Sequence, residues 1–205
     1  MKKITNWICV IIFIALFSCN NHPVNNSESK ELKIAKTVPF NFKNDAELTI
    51  HNDTVYLNNQ LFSGYRYRIF KDGDTALVCS YFNGVEEGYL RKWFENKQPE
   101  EIRFYINGKK EGLHQGWWSN GKPRFTFTAY SDEYEGEFKE WANTGLLIKC
   151  FHYKKGEEDG SQRLWWGDGS VRANYVMKNG KKYGFIGYQI CQNPYDSVLI
   201  SDDTN

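Results

Sequence analysis

The chain has 205 residues and a formal net charge of +1, with 26 basic side chains set against 25 acidic ones. So even a balance gives no long-range pull toward a polyanion, and it argues against nucleic acid or an anionic membrane surface as the main partner.

At the N-terminus Lys2 and Lys3 precede an apolar stretch from Trp7 to Phe17, which ends in Leu16-Phe17-Ser18-Cys19 and gives way at once to Asn20, Asn21 and His22. A spanning helix needs about 20 apolar residues. The shorter stretch reads as a signal peptide over residues 1–18. Its last four residues resemble the lipobox of bacterial lipoproteins, which implies cleavage before Cys19 and lipidation of the Cys19 thiol, with acyl chains such as palmitate holding the protein on a membrane. Asn20 after the cysteine resembles the signal for the outer membrane, so the expected location is the cell envelope, facing periplasm or surface. Loss of residues 1–18 removes Lys2 and Lys3 and turns the net charge from +1 to −1. Residues 19–45 are polar and lack apolar periodicity, as expected of a flexible lipidated tether. The folded part is expected to begin near Glu47, within a repeat domain spanning residues 46–190, followed by a tail over 191–205.

Glycine recurs at 64, 88, 112, 136, 160 and 184, every 24 residues, and Trp93, Trp117, Trp118, Trp141, Trp165 and Trp166 each follow one of those glycines by five or six places. A period of this length marks a repeat architecture. Two turn windows recur within it. One follows the aromatic pair, as in Lys71-Asp72-Gly73-Asp74 and Ser119-Asn120-Gly121-Lys122; the other is Asn83-Gly84, Asn107-Gly108, Ser131-Asp132, Lys155-Gly156 and Asn179-Gly180. Asn-Gly pairs tolerate the positive φ angles of hairpin turns. Segments between the windows, such as Arg124-Phe125-Thr126-Phe127-Thr128, are rich in aromatic and β-branched residues and read as strands. Each repeat is therefore a β-hairpin, with Leu48–Ile50 and Thr54–Leu57 as a cap. The prediction is an all-β domain: an elongated, twisted antiparallel sheet of stacked hairpins.

Tyr105-Ile106-Asn107-Gly108-Lys109-Lys110-Glu111-Gly112 and Glu133-Tyr134-Glu135-Gly136-Glu137-Phe138 resemble the MORN repeat, over residues 54 to 187, and the lipoprotein setting resembles its bacterial variant, the YwqK-like antitoxin family. Ser131-Asp132 and Ala142 depart from the pattern. The resemblance implies a protein-binding scaffold; an antitoxin or immunity-type inhibitor is the alternative that the family label implies.

No catalytic, cofactor or metal site emerges from the spacing of reactive residues. His22, His51, His114 and His152 form no ligand or triad pattern, and a solvent-facing strand position is expected for the strand histidines. Acid pairs such as Glu86-Glu87 and Glu100-Glu101 read as ordinary solvation. Cys79 and Cys150 lie three periods apart, about 29 Å across a sheet, too far for a disulfide that needs Cα atoms within about 7 Å. Cys191, in Gly187-Tyr188-Gln189-Ile190-Cys191, leaves a redox or copper-handling accessory as a third reading. The aromatic pairs carry the leading one. Adjacent strand residues point to opposite faces, so Trp93, Trp117, Trp141 and Trp165 are expected on one face, with Phe94, Trp118 and Trp166 on the other. A thin sheet cannot bury both rows, and one of them, flanked by Arg91, Arg103, Arg124, Arg163 and Arg172, is expected to bind a partner protein.

Overall fold

The computed structural model describes Lys33 and residues 35–186. The signal peptide, Cys19, Cys191 and the 191–205 tail lie outside the described residues. In chain order the strands are β1 (Phe42–Asn44), β2 (Thr49–His51), β3 (Thr54–Leu57), β4 (Gln60–Leu61), β5 (Gly64–Ile69), β6 (Thr75–Phe82), β7 (Val85–Trp93), β8 (Pro99–Ile106), β9 (Lys109–Trp117), β10 (Pro123–Tyr130), β11 (Glu133–Trp141), β12 (Leu147–Lys154), β13 (Glu157–Trp165), β14 (Val171–Lys178) and β15 (Lys181–Ile186). The fold is all-β. An open 12-stranded sheet runs β1-β5-β6 and onward in sequence order to β15, and β2-β3-β4 form a separate sheet of three strands.

Two kinds of turn alternate along the main sheet. The tight turns place both residues at positive φ, for example Asn107 at 51° and Gly108 at 74°, which is the type I′ geometry that follows the strand twist. Ser131 (53°) and Asp132 (74°) adopt it as well. The departure from Asn-Gly is compensated there, because Asp132 accepts from the Lys110 backbone N–H through Oδ1 at 2.9 Å. The wider turns begin at the second aromatic place. In each, the first residue both donates to and accepts from the far side, as when Trp118 N–H reaches Lys122 O and Gly121 N–H reaches Trp118 O, both at 2.8 Å.

The glycines of the 24-residue period have a specific task. In β7, β9, β11 and β13 the register of the tight hairpin slips near Gly88, Gly112, Gly136 and Gly160: Cys79 pairs with Leu90, yet Tyr81 pairs with Glu86. Each of these glycines has φ between 73° and 93°. A bulge at such a φ favours glycine and re-aims the neighbouring side chain. The re-aimed neighbour is Glu87, Glu111 or Glu135. Each accepts from the first N–H of the next tight turn, with Asn107 N to Glu87 at 2.7 Å, Ser131 N to Glu111 at 3.0 Å and Lys155 N to Glu135 at 2.9 Å. Ser63 serves Asn83 in the same way at 2.8 Å. The second turn N–H goes to the backbone of the same preceding hairpin, as Gly108 N to Glu86 O at 2.8 Å. Glu87 is fully buried, and Glu101 and Glu111 nearly so. The reading of the acid pairs as ordinary solvation is corrected accordingly, since these carboxylates lock one hairpin to the next or, in Glu101, bind guanidinium groups.

The chain enters the fold before Glu47. β1 pairs in parallel with β5, and Phe42 stacks on Tyr65 at 4.8 Å. Upstream, the Lys36 backbone N–H donates to Glu87 at 2.7 Å and Lys33 Nζ reaches Ser131, so this stretch of the expected tether lies along the tight turns. Three extended residues without alternating polarity give a sequence reader nothing to detect.

One face of the main sheet carries the core, in two clusters. Val55 of the small sheet, with Leu48 and Phe62 on either side of that sheet in the chain, packs with Leu77, Cys79, Tyr81, Leu90 and Tyr105; farther along, Phe125, Phe127, Ala129, Phe138 and Phe151 form a second, mainly aromatic cluster. The expected cap thus buries the first cluster. Gly116 belongs to the second for a different reason from the bulge glycines: a Cβ there would stand 2.3 Å from Cε1 of the buried Phe125 ring, whereas one on Gly112 would meet nothing within 4 Å but sits at φ 76°. Gly112→Ala is expected to cost about 1–2 kcal/mol as backbone strain, and Gly116→Ala about 3 kcal/mol as overpacking. Urea titration of both variants in wild-type and Phe125→Leu backgrounds checks the assignment, because the smaller side chain should rescue Gly116→Ala and leave the cost of Gly112→Ala unchanged.

Candidate functional site

All six tryptophans of the repeats are half-buried or exposed. Two of them, Trp118 and Trp141, border a cleft of about 460 Å³ at the start of β10 and the end of β11. Phe125, Phe127, Tyr134 and Phe138 supply its aromatic walls, and Phe127 stacks on Phe138 at 5.1 Å with nearly parallel rings. Trp118 is fixed by its Nε1–H, which donates to the Trp141 backbone carbonyl at 2.9 Å. The structure does not bring Trp93, Trp117 or Trp165 to this cleft, and Trp166 stands apart, covered by the Arg172 guanidinium at 4.6 Å.

The rim is charged. Glu101 is held by Arg103 (2.8 Å), Arg124 and Lys92 (3.7 Å). Burial works to raise the pKa of Glu101, but the hydrogen bond and charge of Arg103, with Lys92 and Arg124, outweigh it and keep the carboxylate ionised below its usual range. Arg103 and Arg124 also lie over the Phe125 ring at 5.0 and 5.2 Å, and Lys149 lies over Phe138 at 4.5 Å while pairing with Glu140 at 3.7 Å. Four cations therefore share two carboxylates around an aromatic floor. Cation–π contact keeps the guanidinium groups close to the rings, and the excess of cations leaves the cleft with positive character.

The histidines divide. His114 is corrected from a solvent-facing position to a fully buried one, stacked on Phe127 at 4.9 Å and edge-on to Tyr105. Neither ring nitrogen has a hydrogen-bond partner among the described residues, and the nearby Glu111 backbone falls outside bonding geometry. Burial, followed by the Arg103 and Lys110 charges, lowers its pKa from 6.5 to about 4. His152 is half-buried on β12, close to Cys150 and to Glu137 of β11. His51 is exposed on β2. Cys79 and Cys150 are both free, six strands apart in the sheet, and burial pushes the Cys79 thiol up to about 12. No described helix is long and apolar enough to cross a membrane.

The chain matches no known protein family, and no curated protein is similar to it. What it shares with repeat proteins is its architecture, an all-β array of regularly spaced β-hairpins.

The buried His114 ring makes stability depend on pH in a defined direction. Its folded pKa lies below the unfolded one, so the stabilisation is complete above about 6.5 and is lost as pH falls toward 4. Between about pH 7 and about pH 5 the loss is about 2 kcal/mol, which at this chain length lowers Tm by about 4–8 °C. Differential scanning calorimetry of wild type and His114→Phe at the two pH values isolates this contribution from that of the carboxylates. The difference between the proteins should widen in acid; parallel curves would remove His114 as the sensor.

Proposed function

We propose that this protein is a docking scaffold: a MORN-like hairpin-repeat lipoprotein held on the outer membrane through Cys19, with no chemistry of its own, that binds a partner protein at the cleft between Trp118 and Trp141. The observation that carries the reading is the combination of an aromatic floor with a cationic rim. Cores built for stability alone close over their aromatic rings, and charged groups are rarely placed on them. Here Phe125, Phe127 and Phe138 are largely buried yet border open volume, with Arg103 and Arg124 in its lining and Lys149 over the Phe138 ring. A site of this composition accepts an apolar or aromatic side chain next to a carboxylate, so the partner segment is acidic and aromatic. Trp and Arg are the residue types most often found to dominate interface energy. The lipid supplies attachment, and the repeat face is what it presents to the envelope.

The reading is tested with Trp118→Ala, Arg124→Ala and, as a control away from the cleft, Trp117→Ala. Loss of the Trp118 indole bond costs about 1 kcal/mol of stability, a Tm change of about 2–4 °C at this length. Loss of an interface anchor costs about 2 kcal/mol, close to thirtyfold in Kd. Envelope partners are to be crosslinked in intact cells, identified by mass spectrometry, and titrated against each purified variant. Trp118→Ala and Arg124→Ala should weaken the same partner at near-native melting temperature while Trp117→Ala binds as wild type. Equal binding by all three sinks the cleft as the site, and a chain without acyl modification at Cys19 in the mass spectrum sinks the anchor.

A further inference from the structure

Away from the cleft, the opposite face of β11 and β12 gathers three side chains of metal-binding chemistry. Glu137 and His152 are directly paired across the two strands, and Cys150 precedes His152 by two residues, so all three project from the face opposite Phe138 and Phe151. His152 Nε2 lies 3.5 Å from Glu137 Oε1, Cys150 Sγ lies 4.0 Å from the same oxygen, and the three donor atoms fall within 4.8 Å of one another. Ligand atoms around a tetrahedral zinc ion are separated by about 3.3–3.6 Å, so small side-chain rotations suffice to close the set.

The tautomer of His152 supports this use. Its Nδ1 is 2.9 Å from the Ser161 backbone carbonyl, an oxygen that can only accept, so Nδ1 carries the proton. Nε2 then turns its lone pair toward the same Glu137 carboxylate oxygen that accepts from the Cys150 thiol, and a cation taking the place of the thiol proton would be shared by all three atoms. A histidine that donates its second nitrogen to a backbone carbonyl is also the usual outer-sphere support of a metal-bound imidazole. We infer that Glu137, Cys150 and His152 form a binding site for a borderline-soft divalent cation, Zn²⁺, with its fourth coordination position open to water. Thiolate and imidazole favour zinc over the hard cations Mg²⁺ and Ca²⁺, which take oxygen ligands.

Two cations border the site and shape its affinity. Lys139 pairs with the other oxygen of Glu137, and Arg163 is directly opposite Cys150 on β13. The thiolate and carboxylate together neutralise a bound Zn²⁺, so the loaded site is itself uncharged beside Lys139 and Arg163. Binding releases the Cys150 proton to solvent, one per ion, and affinity rises with pH. An exposed, three-ligand site of this kind exchanges its ion with the medium.

The test uses the full chain, reduced and free of chelating thiols. Calorimetric titration with Zn²⁺ should show one ion per chain with proton release, and Co²⁺ substitution should show tetrahedral absorption with a thiolate-to-cobalt charge-transfer band. Cys150→Ser should abolish the charge-transfer band, while His152→Ala and Glu137→Gln each weaken Zn²⁺ by at least about tenfold. Cys191→Ser should bind as wild type, and Zn²⁺ should protect Cys150 from alkylation. Thermal melts of the variants establish that each is folded. Absence of binding in the wild-type chain, or a charge-transfer band that survives Cys150→Ser and disappears in Cys191→Ser, overturns the assignment.

Discussion

A two-residue hairpin turn leaves two backbone N–H groups without a partner in its own ladder, and each unpaired group is costly wherever neighbouring structure covers it. In this protein the preceding hairpin accepts both. At Asn107-Gly108 the acceptors are the Glu87 carboxylate and the Glu86 carbonyl, and the arrangement recurs at Ser131-Asp132 and Lys155-Gly156. The carboxylate can reach the turn because a glycine bulge lies one residue beyond it. The 24-residue period is therefore the distance between a bulge that aims an acid and the next bulge that does the same. Stacking follows from this bond as much as from the sheet ladder, since the tight turns from Asn83-Gly84 to Lys155-Gly156 are each completed by the structure before them.

The same arrangement explains how so many charges come to be buried in a thin structure. An ionised carboxylate removed from water must recover its hydrogen bonds from the protein. Glu87 does so from two backbone N–H groups, those of Asn107 and Lys36, and Glu101 does so from two guanidinium groups. His114 is the exception: its ring recovers none, and burial together with the Arg103 and Lys110 charges favours its neutral form. It occupies a place in the core row where a phenylalanine would fit, and its flat stacking on Phe127 is an aromatic contact rather than a polar one.

Much of this could be read in the residues. The glycine spacing and the alternating turn windows mark strands and hairpins with few errors, because turn chemistry is local and glycine and asparagine report positive φ directly. Burial was less legible. His114 and Glu87 look like surface residues when judged by type, and only the parity of each strand about its bulge shows which face they occupy. The bulge conceals that parity from a reader who assumes strict alternation. The Glu137, Cys150 and His152 cluster could have been found by pairing the arms about Asn143-Thr144-Gly145, which sets 137 opposite 152. Ligand spacing along a single segment does not reveal it, because the donors meet across a turn. β1 carried no signal at all, since a short parallel edge strand needs neither alternation nor a turn.

The two faces of β11 and β12 are mechanically linked, and this bears on both sites. On one face Phe138 and Phe151 sit opposite each other, with Phe127, Tyr134 and Tyr153 packed around them. Sliding either strand by one residue would turn these rings out to solvent and bring charged groups into their place, so the aromatic packing fixes the register. Because the period of a strand is two, the register that seats Phe138 against Phe151 also sets Glu137 opposite His152 and Lys139 opposite Cys150 on the far side. The donor set needs no packing of its own to be held in place. It is exposed enough to exchange a ligand, yet it rests on the buried aromatic cluster of Phe125, Phe127, Phe138 and Phe151, and the cleft beside Trp118 and Trp141 draws its floor from that same cluster.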